Sequence, residues 1–450
     1  LSKKEIYFEC EACGAKSPKW LGRCPSCSAW NSFVEVKETK ELQFVSRQEK
    51  SIRLSEVEEK NSSRISTGIS EFDRILGGGI VEGSAILLGG DPGVGKSTLL
   101  LQTLGNIGKS SIVLYSSAEE SLSQIAERGR RISRDSKYLE ILSSTSLENI
   151  IATAREAKAS VLVVDSIQTI FSEEVPASPG SLAQIRECSF SLTQFAKTEN
   201  IAVFIIGHIT KEGIIAGPKA LEHIVDVVLY LEGDNYKNLK VLRAQKNRFG
   251  TTNEIALFDM TEEGLKEVVN PSEVLLKDRM VGEAGSSIGI SVEGTRAILF
   301  EIQSLYSPSA FGLAKRMSVG FDRNRMQLLA AVIERATRIM MGDKDLFLNL
   351  VGGVEVEDTG LDLPVCLSII STLKGKPLPE DLTSFGEIGL LGEVRSASMP
   401  LKRIKEAQAL GFKRVLLPKS NYQRNEFKEK IPELIPVSSL KEAIEILNKS

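Results

Sequence analysis

The sequence predicts an α/β protein in several parts, and three observations carry that prediction. Between about Arg64 and Val269, short apolar runs alternate with helical stretches, the pattern of a parallel sheet flanked by helices. Inside that region Gly90-Asp91-Pro92-Gly93-Val94-Gly95-Lys96-Ser97 satisfies GxxxxGK[ST]. Two CxxC pairs precede it, and after Pro271 the pattern changes again. The expected boundaries are a zinc-binding module over 1–36, a charged linker over 37–63, a nucleotide-binding domain over 64–270 and an α+β domain over 271–450. A chain of 450 residues is too long for one ordinary core, in keeping with that division.

Composition narrows the function classes. A hydrophobic content of 42% with 26% charged residues fits a globular protein, and no apolar run approaches the roughly 20 residues of a membrane span. Leu1-Ser2-Lys3-Lys4-Glu5 lacks the apolar stretch of a signal peptide. The net charge of −3 means that a nucleic-acid site must be a local patch or depend on assembly. Cys188 and Cys366 stand alone in apolar surroundings, so a reducing, cytoplasmic location is expected.

The first module is built on Cys10, Cys13, Cys24 and Cys27. Two CxxC knuckles can each wrap one side of a tetrahedral Zn²⁺, whereas two disulfides or a redox CxxC fit the expected compartment poorly. Trp20 and Trp30, the only two tryptophans, are expected to pad this small core rather than to stack on bases. The stretch from Lys37 to about Ser63 is charged and poor in large apolar residues, as a linker would be.

The phosphate loop has the flanks that its chemistry needs. Ala85-Ile86-Leu87-Leu88 reads as a buried strand, and a helix starts at Ser97. Gly90, Gly93 and Gly95 let successive N–H groups turn toward a phosphate chain, and the helix N-terminus adds its positive end. The segment from Gly90 through Thr98 is therefore the expected ATP cradle, with Lys96 on the β and γ phosphates and Ser97 on Mg²⁺. Val161-Leu162-Val163-Val164-Asp165 is a second apolar strand that ends in a carboxylate, where Asp165 would hold Mg²⁺ through water. After a third strand, Ser111 to Ser116, come Glu119 and Glu120. Glu119 is the expected activator of the attacking water, and Glu120 is as readily a first-turn complement to a helix dipole.

Three further stretches make the pattern specific. They are TGISEFDRILGGGIVEGS at Thr67 to Ser84, FIIGHITKEG running from Phe204 into IIAGPKALEHIVDVVLYLEG, and Lys246-Asn247-Arg248-Phe249-Gly250. With the phosphate loop and Glu119 they resemble the ATPase core of the RecA superfamily. With the four-cysteine N-terminus, the whole chain resembles the RadA (Sms) family of bacterial DNA repair proteins. That resemblance implies an ATP-hydrolysing DNA motor or helicase acting as a hexameric ring. It would bind single-stranded and branched DNA and promote branch migration of homologous-recombination intermediates, with a recombinase or replication partner. It also implies that Lys246 and Arg248 reach the nucleotide of a neighbouring subunit, that Arg248 takes part in DNA handling, and that Lys211 and Lys219 contact DNA phosphates. Lys240, Arg243, Lys246 and Arg248 form a basic run that could equally be a solvated strand end.

The region after Pro271 resembles the proteolytic domain of Lon, which uses a serine and lysine dyad. Lys402 falls at the lysine, but Gly360 stands where the serine belongs, and a glycine carries no nucleophile. Thr359 and Ser368 are nearby but not aligned, so no peptidase activity is expected. An assembly scaffold is implied instead, with Lys315, Arg316 and the Lys402 to Lys405 stretch as possible DNA contacts. The competing functions are an ATP-dependent protease and a RecA-type regulatory ATPase that never meets DNA.

Overall fold

The computed structural model describes residues 6–10, 16–25, 30, 33–37, 64–132, 137–208, 221–233, 239–309, 314–424 and 432–449. The chain divides into two compact units, Leu1–Asn61 and Ser62–Ser450. Lys211 and Lys219 lie outside the described residues, as do Cys13 and Cys27.

The first unit holds a three-stranded antiparallel sheet of β1 (Ile6–Cys10), β2 (Lys16–Ser17) and β3 (Phe33–Lys37), with β1 in the middle. Among the described residues its small interior is Cys24 and Phe33, with Phe8 and Leu21 against them. The tryptophans are not that interior: Trp20 is 52% and Trp30 72% exposed. The expectation that they pad the core is thereby corrected: among the described residues the buried cluster is formed by smaller side chains, and both indoles lie largely outside it.

In the second unit, a short β4 (Arg64–Ile65), α1 (Ser70–Ile75) and β5 (Ile80–Val81) lead into the main sheet. Its elements follow as β6 (Ala85–Gly90), α2 (Lys96–Ile107), β7 (Val113–Ser117), α3 (Leu122–Ile132), β8 (Leu139–Ser143), α4 (Leu147–Ala157), β9 (Val161–Asp165), α5 (Leu182–Glu199), β10 (Ala202–His208) and β11 (Val227–Glu232). The chain then continues as β12 (Leu239–Asn247), β13 (Ile255–Thr261) and β14 (Gly264–Glu267). The nine strands run β14-β13-β12-β11-β6-β10-β9-β7-β8. From β11 to β8 every pairing is parallel, whereas β12, β13 and β14 add on antiparallel. Short connections allow no crossover helix, so those last strands fold back as a meander.

Strands β6, β7 and β9 are buried along their whole length, as strands covered on both faces must be. Apolar clusters line each face. One holds Phe72, Leu100, Tyr115 and Phe204, and the other holds Leu87, Leu162, Leu192 and Ile205. The parallel order puts the C-terminal ends of β6, β7, β9 and β10 along one edge, where ligands bind in such sheets.

The remaining chain forms a seven-stranded mixed sheet. In chain order come α6 (Pro271–Leu276), β15 (Ser286–Glu293), β16 (Arg296–Pro308), β17 (Arg316–Val319), α7 (Arg323–Thr337), β18 (Lys344–Leu350), α8 (Asp362–Lys374) and β19 (Leu382–Ser384). A small hairpin of β20 (Glu387–Ile388) and β21 (Val394–Arg395) precedes α9 (Pro400–Ala409), β22 (Arg414–Pro418), α10 (Lys419–Arg424), β23 (Glu433–Val437) and α11 (Leu440–Lys449). The two sheets share a core: Val241, Ile255 and Leu257 of the first pack in one cluster with Ile298, Phe300 and Leu348 of the second. An ion-pair chain reinforces the junction, with Arg296 on both oxygens of Glu71 at 3.0 and 2.9 Å, Glu71 on Arg74, and Arg74 on Glu254.

Candidate nucleotide and magnesium site

The loop between β6 and α2 is shaped by its glycines. Gly95 is the N-cap of α2 with φ 116°, and a Cβ there would stand 2.5 Å from the Met260 methyl carbon. Gly90 has φ 150°, and a Cβ there would fall 2.3 Å from the Leu231 carbonyl oxygen. Only glycine fits either position. Asp91, Pro92 and Gly93 are exposed, and Ser97 and Thr98 are half-buried. No side chain caps the α2 N-terminus and its first turn carries no acidic residue, so its N–H groups and positive end stay available to an anion.

Lys96 lies under this loop. Its Nζ donates to the carbonyls of Gly90 at 2.8 Å and Asp91 at 2.9 Å. Burial lowers its pKa to about 8, against the opposing pull of Asp165, Asp91 and Glu119. Asp165 ends β9 and accepts a 2.5 Å bond from the Tyr115 hydroxyl, and the nearby Ser97 hydroxyl also favours its ionised form. Burial raises the Asp165 carboxyl above its ordinary range, and burial together with the adjacent Asp165 charge pushes the Tyr115 hydroxyl well up.

The two glutamates after β7 separate clearly. Glu119 accepts from the Ser166 hydroxyl at 2.5 Å and faces His208 Nε2 at 3.2 Å. The hydrogen bond from His208 holds the Glu119 carboxyl below its usual range, with Ser166 and the Lys96 charge adding to the effect. Glu120 is turned onto Arg128 of α3 at 2.5 Å. His208 itself ends β10 in register with Gly90, and its carbonyl accepts a 3.4 Å bond from Gln168 Nε2. One donor atom each from Glu119, Asp165 and His208 lie within 4.8 Å of one another. This edge of the sheet thus brings together an open helix N-terminus, a buried cation, a hydroxyl on a carboxylate and a second carboxylate. That donor set fits a magnesium nucleotide, with Ser97 and Asp165 on the metal side and the Gly90 to Thr98 loop on the phosphates.

Lys246 and Arg248 are not at this edge. Lys246 Nζ donates to the carbonyls of Glu222 at 2.6 Å and Val225 at 2.7 Å, and Arg248 pairs with Asp226 at 3.1 Å. Asp226 in turn binds Ala85 at the start of β6, whereas the phosphate loop follows its end. The length of that strand, on the order of 17 Å, keeps both cations from their own chain's Lys96. Sequence reasoning missed Tyr115, Ser166 and Arg128. The alternation of Tyr115 and Ser117 at a strand end was the available signal for the first.

Around Gly360 no serine and lysine dyad is assembled, in keeping with the missing nucleophile. Lys402 points away, donating to the Thr295 carbonyl at 2.6 Å. Its neighbour Arg403 is wholly buried, pairs with Asp358 at 2.6 Å, bonds the Ile290 carbonyl and lies over the Phe385 ring. A Cβ at Gly360 would stand 2.7 Å from its guanidinium. Arg403 is therefore no exposed DNA contact, and Arg316 is likewise spent on the carbonyls of Met341 and Lys344. Ser368 is buried and donates to the Gly285 carbonyl. Thr359 is bonded to Glu387.

These features define a RecA-like P-loop ATPase carrying an N-terminal zinc ribbon and a Lon-like C-terminal region. Residues 8–35 match the rubredoxin metal binding domain, residues 65–145 the KaiC ATPase and residues 307–421 subunit ChlI of Mg-chelatase. The chain is 46% identical to the DNA repair protein RadA of Bacillus subtilis, covering 99% of each, and 45% identical to that of Pseudomonas aeruginosa, covering 94% of each. It belongs to the RadA family of DNA repair proteins. Among solved structures it is similar to the KaiC-like protein PH0186 of Pyrococcus horikoshii, at 19% identity and TM-score 0.40 over 46% of this chain and 99% of that one. It is also similar to the RadB recombinase, at 22% identity and TM-score 0.37 over 45% of this chain and 99% of that one. Among the described residues, no helix is long and apolar enough to cross a membrane.

Proposed function

We propose that the protein is a cytoplasmic, DNA-dependent ATPase that assembles as a hexameric ring, moves on single-stranded DNA and promotes branch migration of recombination intermediates. The observation that carries this reading is the separation of its charges. Lys96, Ser97, Asp165 and Glu119 share one edge of the sheet, and Lys246 and Arg248 hold the opposite end. Cations so placed can serve a nucleotide only on another subunit, which makes turnover depend on assembly.

In this reading Lys96 leaves its two carbonyls for phosphate oxygens, and Ser97 and Asp165 would hold Mg²⁺, whose charge would offset that of the phosphates. Glu119, kept ionised by His208 and Ser166, takes the proton of the attacking water. Lys211 and Lys219 contact DNA phosphates, and Arg248 shares in DNA handling. Cys10, Cys13, Cys24 and Cys27 bind Zn²⁺. The working division is 1–36, 37–63, 64–270 and 271–450. Gly360 beside a buried Arg403 gives a protease reading no support.

The test is the ATPase rate of assembled protein with and without single-stranded DNA across a salt series. Stimulation that fades with salt is expected, because phosphate contacts release counterions. A rate indifferent to DNA would hand the protein to the reading as a regulatory ATPase.

A further inference from the structure

Both tryptophans of the chain lie in its N-terminal unit, and neither is buried in its apolar interior. Cys24 and Phe33 are buried at 1% and 4% exposure, with Phe8 and Leu21 against them, while Trp20 and Trp30 stand outside at 52% and 72%. Exposing two such side chains on so small a module leaves a large apolar area in water, the mark of an interaction surface. Their settings are ordered. The Trp20 indole N–H donates to the Phe33 carbonyl at 3.1 Å, which fixes one edge of the ring and leaves the remainder outward. Residue 30 bridges to residue 23, and the Arg23 guanidinium lies over the Trp30 ring at 5.6 Å.

The stretch that carries both rings is basic, although Glu11 and Glu35 flank it and Glu9 stands in register with Lys16 across β1 and β2. From Ala12 to Val34 the sequence holds Lys16, Lys19 and Arg23 and no acidic residue, in a chain whose net charge is −3. Lys19 and Arg23 are exposed beside the two rings. Flat π-faces interleaved with cations suit a polyanion whose bases are free to splay. Each base offers a face to stack on, and each phosphate a charge to neutralise. A duplex, whose bases are already stacked, fits the pattern poorly. An acidic protein would satisfy the lysine and arginine and leave the rings without a matching group.

We propose that the zinc ribbon is a second single-strand binding surface, on which Trp20 and Trp30 stack unpaired bases while Lys19 and Arg23 hold the adjoining phosphates. This surface is additional to the residues proposed above for DNA, and it rests on the reading that the protein binds single strands.

The two tryptophans being the only ones, the emission of the full-length protein reports on this unit alone. Oligothymidylate is titrated into assembled protein while the anisotropy of a labelled strand follows binding in parallel. Quenching that saturates together with anisotropy is expected, weaker with a duplex of equal length. W30A should weaken binding to the single strand by about tenfold and remove most of the quenching, and W30F should recover most of the affinity. Bound zinc per chain is measured in each variant, so that a loss of affinity at full zinc content is read as loss of stacking. Anisotropy that rises while emission is unchanged would overturn the inference, leave the DNA reading intact and assign the surface to a protein partner. Absence of binding by either signal would sink both.

Discussion

His208 Nε2 lies 3.2 Å from Glu119 Oε1, joining the end of β10 to the segment that follows β7 across the mouth of the phosphate loop. The contact lowers the Glu119 carboxyl pKa, so that the carboxylate stays ionised and able to accept a proton near neutral pH. Removal of His208 removes the largest lowering influence. Glu119 in H208A then protonates at a higher pH, and the acidic limb of the ATPase profile moves up. E119Q should lose about a hundredfold or more of turnover while still binding ATP. The check is kcat against pH for the two variants, with nucleotide affinity measured separately. An unmoved acidic limb in H208A would mean that another group sets it.

The junction between the two sheets predicts that they do not survive separation. Val241, Ile255 and Leu257 are buried against residues of the second sheet, and Glu254 receives both Arg74 and the Thr295 N–H at 2.8 Å. Truncation after Asn270 should therefore give poorly soluble protein with exposed apolar surface, measured by soluble yield and dye binding. In the intact chain, R296A removes a two-pronged bond to Glu71 but leaves Glu71 its bond to Arg74. A loss of about 1–2 kcal/mol in denaturant unfolding is expected. An unchanged midpoint would show the pair to be ornamental.

What the sequence made legible was local. Val161–Asp165 has the bounds that its apolar pattern suggests, because it is a buried run that ends at a carboxylate. Strand β8 carries no comparable signal, because it is a half-exposed edge strand with no continuous apolar run. The phosphate loop is contiguous and announces itself, but the Tyr115 to Asp165 and Glu119 to His208 contacts join residues far apart in the chain. Around Gly360 the sequence could not show which neighbouring side chain meets the glycine. A step of one residue turns a side chain by about 100°, so that Arg403 rather than Lys402 faces the glycine.

That packing makes restoration of a peptidase by one change unworkable. In G360S the new Cβ would meet Arg403 at 2.7 Å and Asp358 at 2.9 Å, and both are held by each other and by their surroundings. The variant should show no casein hydrolysis and should lose about 1–3 kcal/mol of stability through overpacking. The measurements are a fluorescent casein assay and thermal unfolding. Casein cleavage by G360S would refute the packing argument.

The final prediction tests whether Lys246 and Arg248 act across subunits. K96A subunits lack a working phosphate loop but keep both cations, and R248A subunits keep the loop and lack one cation. If the cations serve a neighbour, each variant alone is inactive. A mixture restores those interfaces where an intact loop meets an intact pair, about a quarter of them at equal proportions. In R248A the loss from the monomer is small, because Arg248 is 52% exposed in its pair with Asp226. Activity in the mixture above the sum of the separate variants is therefore a property of the interface and not of folding. Flat additivity, in subunits shown to have exchanged, would return Arg248 to its own chain and remove the argument that turnover requires assembly.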